Sequence, residues 1–207
     1  MPTGVALRDP RQQLFAAAER ILVRDGPQAL TSRAVTTEAG CAKGVLHRHF
    51  ADFDDFLADL VRDRITRLET QSAALLDAAG TGTVTGNLTE TLTDLFGSVA
   101  LNIVALITFR DDLRARLRAT TPTGVPLLSE AAAMLTAYLA AERDRGRLAW
   151  DADVGTLALT LLGAAHLLFA GRDTGPPAPA TVQRTVAAVL ASAQPDPSPR
   201  PAPSRER

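Results

Sequence analysis

Two breaks cut the first fifty residues into three short helical runs. After Pro10, the run "RQQLFAAAERILVRDG" puts Leu14, Ala17, Ala18, Ile21 and Leu22 on one stripe, the spacing of a helix with a single buried face. Pro10 suits the first turn, where the missing N–H costs nothing. Gly26 and Pro27 end that helix. Thr31 can cap a second helix over 32–39 through its hydroxyl, burying Ala34, Val35 and Ala39, and Gly40 stops it. A third helix over 42–49 offers Val45 and Leu46 to different faces, with Phe50 dropping into the core beneath. Three helices, the last two joined by a glycine turn, form a helix-turn-helix candidate. In such a unit one helix braces on the DNA backbone while the next enters the major groove, where base edges differ.

The rest of the chain reads as helical too. Apolar residues make up 46 % of its 207 residues and aromatics 4 %, a composition that favours helices over sheets. Asp52 can cap a long helix running to about Ala79, with Asp55 three positions on in a capping-box arrangement and an apolar stripe of Phe56, Leu57, Leu60, Val61, Ile65 and Leu68. "GTGTVTG" at 80–86 reads as a loop. Helices are expected over 88–109, 111–119, 127–146, 152–170 and 180–193, with breaks at "TTPTGVP" and "GRDTGPPAP". Residues 1–9 read as a loose arm, and the Pro- and Ser-rich tail 194–207 as disordered.

Charge and cysteine content narrow the setting. The formal net charge is −1. Residues 1–50 hold seven Arg or Lys against four Asp or Glu, while 51–63 hold five Asp and one Arg. A modestly basic head on a neutral body is compatible with nucleic-acid contact. The single cysteine, Cys41, cannot close an internal disulfide and fits a reducing compartment. No secretory signal is expected at the N-terminus. The apolar run "LALTLLGAAHLLFAG" is too short for a membrane span, so a cytoplasmic protein is expected.

The stretch "LTSRAVTTEAGCAKGVLHRHFADFDDFLADLV", with "LFAAAERILVRDGPQAL" before it, resembles the DNA-binding region of the TetR family of transcriptional regulators. The resemblance implies an all-α fold: an N-terminal three-helix DNA-binding domain at 10–50, then a helical effector-binding and dimerisation bundle at 51–193. It implies that Thr31, Ser32 and Arg33 start the helix that braces against phosphate. It gives Lys43, Gly44, Val45, His47 and Arg48 to the exposed positions of the recognition helix, and makes Phe50 the anchoring aromatic. Three positions depart from the family pattern: Ala42 stands where a small hydroxyl residue is common, His47 where tyrosine is, and Phe53 where a lysine supplies a phosphate contact.

Each of these residues also has a plainer reading. Arg33, Lys43 and Arg48 could be ordinary solvated cations, Val45 a core residue, and Gly44 a packing point between the two short helices. His47 and His49 lack the three- or four-residue spacing that puts two metal ligands on one helical face. His49 is assigned to packing or a polar edge contact, and Cys41 to turn packing. No glycine-rich phosphate loop, nucleophile elbow or acid–base pair appears, so neither an enzyme nor a cofactor is expected.

In the body, Leu95, Val99, Asn102, Leu106, Phe109, Leu128, Leu135, Tyr138 and Leu162 read as pocket or core, and Trp150 as an interhelix plug. Asn102, Tyr138 and His166 could give a small apolar or aromatic effector its few polar contacts. The ligand-binding candidates are Asn102, Leu106, Phe109, Tyr138 and His166. The last two helices are the expected homodimer interface. The expected partners are operator DNA, a second copy and a small effector. A helical ligand-binding or protein-interaction module without sequence-specific DNA binding is the alternative.

Overall fold

The computed structural model describes residues 9–97, 99–119, 124–171 and 175–195. The expected arm before Asp9, the tail after Pro195 and parts of the breaks at 120–126 and 171–179 lie outside them. Among the described residues there are ten α-helices and no strand: α1 (Pro10–Asp25), α2 (Ser32–Glu38), α3 (Gly44–His49), α4 (Phe53–Asp77), α5 (Val84–Phe96), α6 (Ala100–Phe109), α7 (Asp111–Leu117), α8 (Leu128–Asp144), α9 (Val154–Ala170) and α10 (Pro179–Leu190). No single helix among them is long and apolar enough to cross a membrane. The chain divides into two compact units, one within residues 1–69 and 95–130, the other within 70–94 and 131–207.

In the first unit α1 carries the expected stripe: Leu14, Ala17, Ala18, Ile21 and Leu22 are all buried. Asp9 caps α1 by accepting from the Gln12 N–H at 3.1 Å. Thr36 is buried in α2 while Ala34 is only half-buried. The Thr36 hydroxyl donates back to the carbonyls of Ser32 and Arg33, which hides its polarity. Four of the seven phenylalanines gather where α1, α3 and α4 meet. Phe50 lies 5.9 Å from Phe15 and 5.1 Å edge-on to Phe56, and Phe53 stacks on Phe56 at 5.6 Å, separations at which ring quadrupoles attract.

The cluster is closed by a cation at each end. The Arg11 guanidinium lies 4.5 Å from the Phe50 ring and Arg110 5.8 Å from Phe53. Arg11 also ion-pairs with Asp59.

The second unit is built on α5, α8, α9 and α10, with α9 and α10 packed on one another. Its buried polar centre is Glu142, fully enclosed on α8. The carboxylate accepts from the Gly80 N–H at 3.3 Å and pairs with Arg147 Nε at 3.3 Å. It is also hydrogen-bonded to the hydroxyl of buried Tyr138. Burial, and then the carboxylate itself, push that hydroxyl above the usual tyrosine range. Asn87 Nδ2 donates to the Tyr138 oxygen at 2.9 Å, and Arg147 donates to the carbonyls of Thr81 and Gly82. The α4–α5 turn, with Gly80 and Gly82 at positive φ, is thereby tied to the end of α8.

Several expected boundaries moved. The loop at 80–86 is shorter, because the Thr83 hydroxyl accepts from the Gly86 N–H at 3.0 Å and starts α5 at Val84. The single helix expected over 88–109 is two: α5 ends at Phe96, Gly97 follows, and α6 begins at Ala100, a break at a residue costly inside a helix. Trp150, read as an interhelix plug, is 57 % exposed.

Phe50→Ala is expected to lower stability by about 3–5 kcal/mol, as other buried aromatic truncations do. Glu142→Ala should cost about 3 kcal/mol by stranding Arg147, and Tyr138→Phe about 1 kcal/mol. Chemical denaturation of the three variants checks that order.

Candidate nucleic-acid interface

The turn between α2 and α3 follows from one residue. Gly40 adopts φ +66°, the left-handed conformation that a side chain resists. Its N–H donates to Thr37 O at 3.1 Å and the Cys41 N–H to Thr36 O at 3.0 Å. This pair of bonds satisfies the last carbonyls of α2 and reverses the chain. Cys41 is half-buried in that turn, and burial pushes its thiol above the usual range. The expected cap of α2 is present: Thr31 Oγ1 accepts from the Ala34 N–H at 3.1 Å.

Recognition-helix candidate α3 is held from below and open above. Leu46 and Phe50 are buried and Val45 half-buried, while Lys43, Gly44, His47, Arg48 and His49 are exposed. Residues 43, 44, 47 and 48 share one face by helical spacing. A Cβ placed on Gly44 meets nothing within 4 Å. The packing alternative for Gly44 therefore has no neighbour to support it, and the glycine leaves that surface low. His49, read as packing or a polar edge contact, is exposed, which removes the packing alternative, and its carbonyl accepts from Arg11 Nη1 at 3.3 Å. Three basic residues, His47, Arg48 and His49, occupy the last turn, where the helix dipole favours cations.

The cations sort into two groups. Arg20 and Arg24 both pair with Glu38, and Arg24 also with Asp25. Among the described residues no ion pair engages Arg33, Lys43 or Arg48. Arg33 is exposed and borders a hollow shared with Arg24, Asp25, Thr37 and Glu38, so it lies on the α1 side of α2. Ser32 is half-buried, with a hydroxyl that has no partner among the described residues. No group of three His, Cys, Asp or Glu residues that could hold a metal occurs among them.

Residues outside the sequence motif complete the site. Asp52 caps α4 by accepting from the Asp55 N–H at 2.7 Å, and Asp55 accepts from the Ala51 N–H at 3.1 Å. The second Asp52 oxygen accepts from Arg116 of α7 at 2.7 Å. The Asp55 N–H first, and then Arg116, hold the Asp52 carboxyl below its usual range. Asp54 accepts from Arg110 at 2.8 Å. Arg11, Arg110 and Arg116 carried no local sequence signal, because each acts across the fold.

The ligand-binding candidates fall in both units. In the first, Asn102 and Leu106 of α6 are buried, and the Asn102 side-chain oxygen has no hydrogen-bond partner among the described residues. Phe109, read as pocket or core, is 76 % exposed, because it ends α6 on the solvent side. In the second, Tyr138 is buried in the Glu142 network and His166 is half-buried on α9. A cleft of about 240 Å³ in that unit is lined by other residues, among them Gln71, Asn87, Glu90 and Asp94.

Residues 14–60 match the family model described as bacterial regulatory proteins, tetR family. Among curated proteins no sequence matches the chain. Among solved structures, the reduced form of NemR from E. coli is similar at 15 % identity, with a TM-score of 0.71, covering 90 % of this chain and 99 % of that one. The fatty acid degradation regulator FadR from Bacillus halodurans is 16 % identical with a TM-score of 0.66, covering 90 % and 97 %. FadR from Bacillus subtilis in complex with stearoyl-CoA is 16 % identical with a TM-score of 0.64, covering 87 % and 97 %. These likenesses show a shared fold, and the likeness to the tetR family model lies in residues 14–60.

Proposed function

We propose that the chain is a homodimeric repressor, without a catalytic role, that binds a palindromic operator in the cytoplasm. The observation that carries this reading is the build of α3. Its exposed face holds Lys43, Gly44, His47 and Arg48, its inner side is locked by Leu46 and Phe50, and among the described residues no ion pair engages its two full cations. Lys43 and Arg48 have the chemistry to pair with guanine O6 and N7, and Val45 that to meet a thymine methyl. Thr31, Ser32, Arg33 and His47 serve the phosphates, which supply affinity without sequence information.

A second copy is expected on α9 and α10. The outward row of α9 runs through Thr156, Leu159, Gly163, Leu167 and Ala170, and Leu159 and Leu167 are 64 % and 77 % exposed. Two leucines on the outer face of an apolar helix suit a self-complementary two-fold contact. Two-fold pairing sets two α3 helices on one duplex, hence the palindrome. The effector is a small apolar or aromatic compound held in the helical body. The apolar surroundings and orphan oxygen of Asn102 support this, and a neighbour of the same fold was solved with stearoyl-CoA. Binding relieves repression in so far as the effector prefers the dimer conformation that fits DNA less well. The rival reading, a helical binding module without operator selectivity, draws on Phe53, whose ring faces Arg110 where a lysine was expected.

Selection of genomic fragments with the purified protein, followed by footprinting at fixed salt, is expected to recover a palindrome; salt-dependent capture without preference among fragments supports the rival. Lys43→Ala and Arg48→Ala should each weaken operator binding by about 1–3 kcal/mol and relax selectivity, whereas Arg33→Ala should weaken all duplexes alike and lower the salt slope by about one. Leu159→Asp with Leu167→Asp should give a monomer in sedimentation equilibrium, and a persistent dimer places the interface elsewhere.

A further inference from the structure

The recognition-helix candidate ends at His49, and only Phe50, Ala51 and Asp52 separate it from α4. The first turn of α4 therefore fixes where α3 can point. Three contacts hold that turn from the α6–α7 corner, far along the chain from residues 14–60. Arg116 takes Asp52 at 2.7 Å, Arg110 takes Asp54 at 2.8 Å, and the Arg110 guanidinium rests 5.8 Å from the Phe53 ring. The Asp52 carboxylate is divided between two tasks, one oxygen capping α4 and the other held by α7.

Charge makes the contacts matter for DNA. A carboxylate close to a phosphate backbone repels it, and residues 52, 54 and 55 are all aspartates. The pairs are partly solvent-exposed, with side-chain exposures of 42 % and 50 % for Arg116 and Asp52, and 36 % and 28 % for Arg110 and Asp54. Exposed pairs add little to folding stability. Their effect should register in the orientation of α3 and in the charge presented beside it.

We propose that Arg110 and Arg116 are positioning residues of the DNA-binding head. From the α6–α7 corner they hold Asp52 and Asp54, fix the turn of α4 on which α3 ends, and cancel two carboxylate charges beside the duplex. This inference rests on the DNA-binding reading of α3 and extends the working head beyond the helix-turn-helix segment. Neither arginine need touch DNA.

The test is a charge-deletion cycle in the full chain. The probes are the duplex recovered by fragment selection and a random-sequence duplex of equal length. Arg116→Gln and Arg110→Gln are each expected to weaken binding of the selected duplex about fivefold, with the melting temperature unchanged, the scale of an exposed ion pair. Asp52→Asn keeps a competent cap, because asparagine caps as well as aspartate. Combined with Arg116→Gln it should restore most of the lost affinity, and Asp54→Asn should do the same for Arg110→Gln. Unchanged affinity in both arginine variants overturns the proposal. So does a loss that the paired asparagine fails to restore, which marks direct phosphate contact by the arginine. If the wild-type chain binds neither duplex, the DNA-binding reading fails first and takes this inference with it; selective wild-type binding with unaffected arginine variants defeats this inference alone.

Discussion

The junction of three helices on four phenylalanines is the constraint on which the head depends. Phe15 comes from α1, Phe50 from the end of α3, and Phe53 and Phe56 from the start of α4. The three rings of Phe15, Phe50 and Phe56 touch pairwise at 5.1–5.9 Å. A helix of six residues has no stability of its own in water. It persists because Leu46 and Phe50 bury its inner side. Arg11 ties this packing to polar contacts at the same point: its guanidinium covers Phe50, donates to the His49 carbonyl and pairs with Asp59. One side chain thus stabilises the end of α3, the face of the aromatic cluster and the side of α4.

Much of this was legible in the sequence, and the reasons are local. Thr31 as cap, Gly40 as stop, and Leu46 and Phe50 as inward anchors follow from backbone chemistry and helical spacing within a few residues. The same rules failed where the determining partner lay elsewhere. Arg11, Arg110 and Arg116 meet their aspartates across 48, 56 and 64 residues, and nothing nearby distinguishes them from solvated arginines. Gly97 and Thr83 did carry local signals, a helix-disfavoured residue and a capping hydroxyl, that a reading led by apolar periodicity passed over.

Apolar type was also a weak guide to place. Phe109 and Trp150 were read inward and lie outward, since burial favours apolar residues without requiring it of each. Glu142 shows the converse. A glutamate near the end of a helix reads as surface, yet this one is fully enclosed, with the Gly80 N–H donating to one oxygen and Arg147 ion-paired to the other. Tyr138, considered as an effector contact, already spends its hydroxyl on Asn87 and Glu142. For such a group to serve a ligand, an existing hydrogen bond must be exchanged, which leaves little net gain. Asn102 differs, since its buried oxygen has no bond to give up among the described residues.

The excess of cations in the head gains meaning only after pairing is taken into account. Counting residues 1–50 gives a diffuse surplus. In the fold, Arg20 and Arg24 are drawn to Glu38, and Arg11 to Asp59, so the arginines of α1 are largely neutralised by their neighbours. Asp54 and Asp52, at the start of α4, are neutralised in turn by Arg110 and Arg116. Among the described residues of 9–50, the cations that no ion pair engages are Arg33 of α2, Lys43 at the start of α3 and Arg48 of α3. A polyanion responds to the field that remains after internal pairing, not to composition. Internal pairing therefore leaves the unpaired positive charge of residues 9–50 on and beside the two short helices α2 and α3, although the whole chain carries a net charge of only −1.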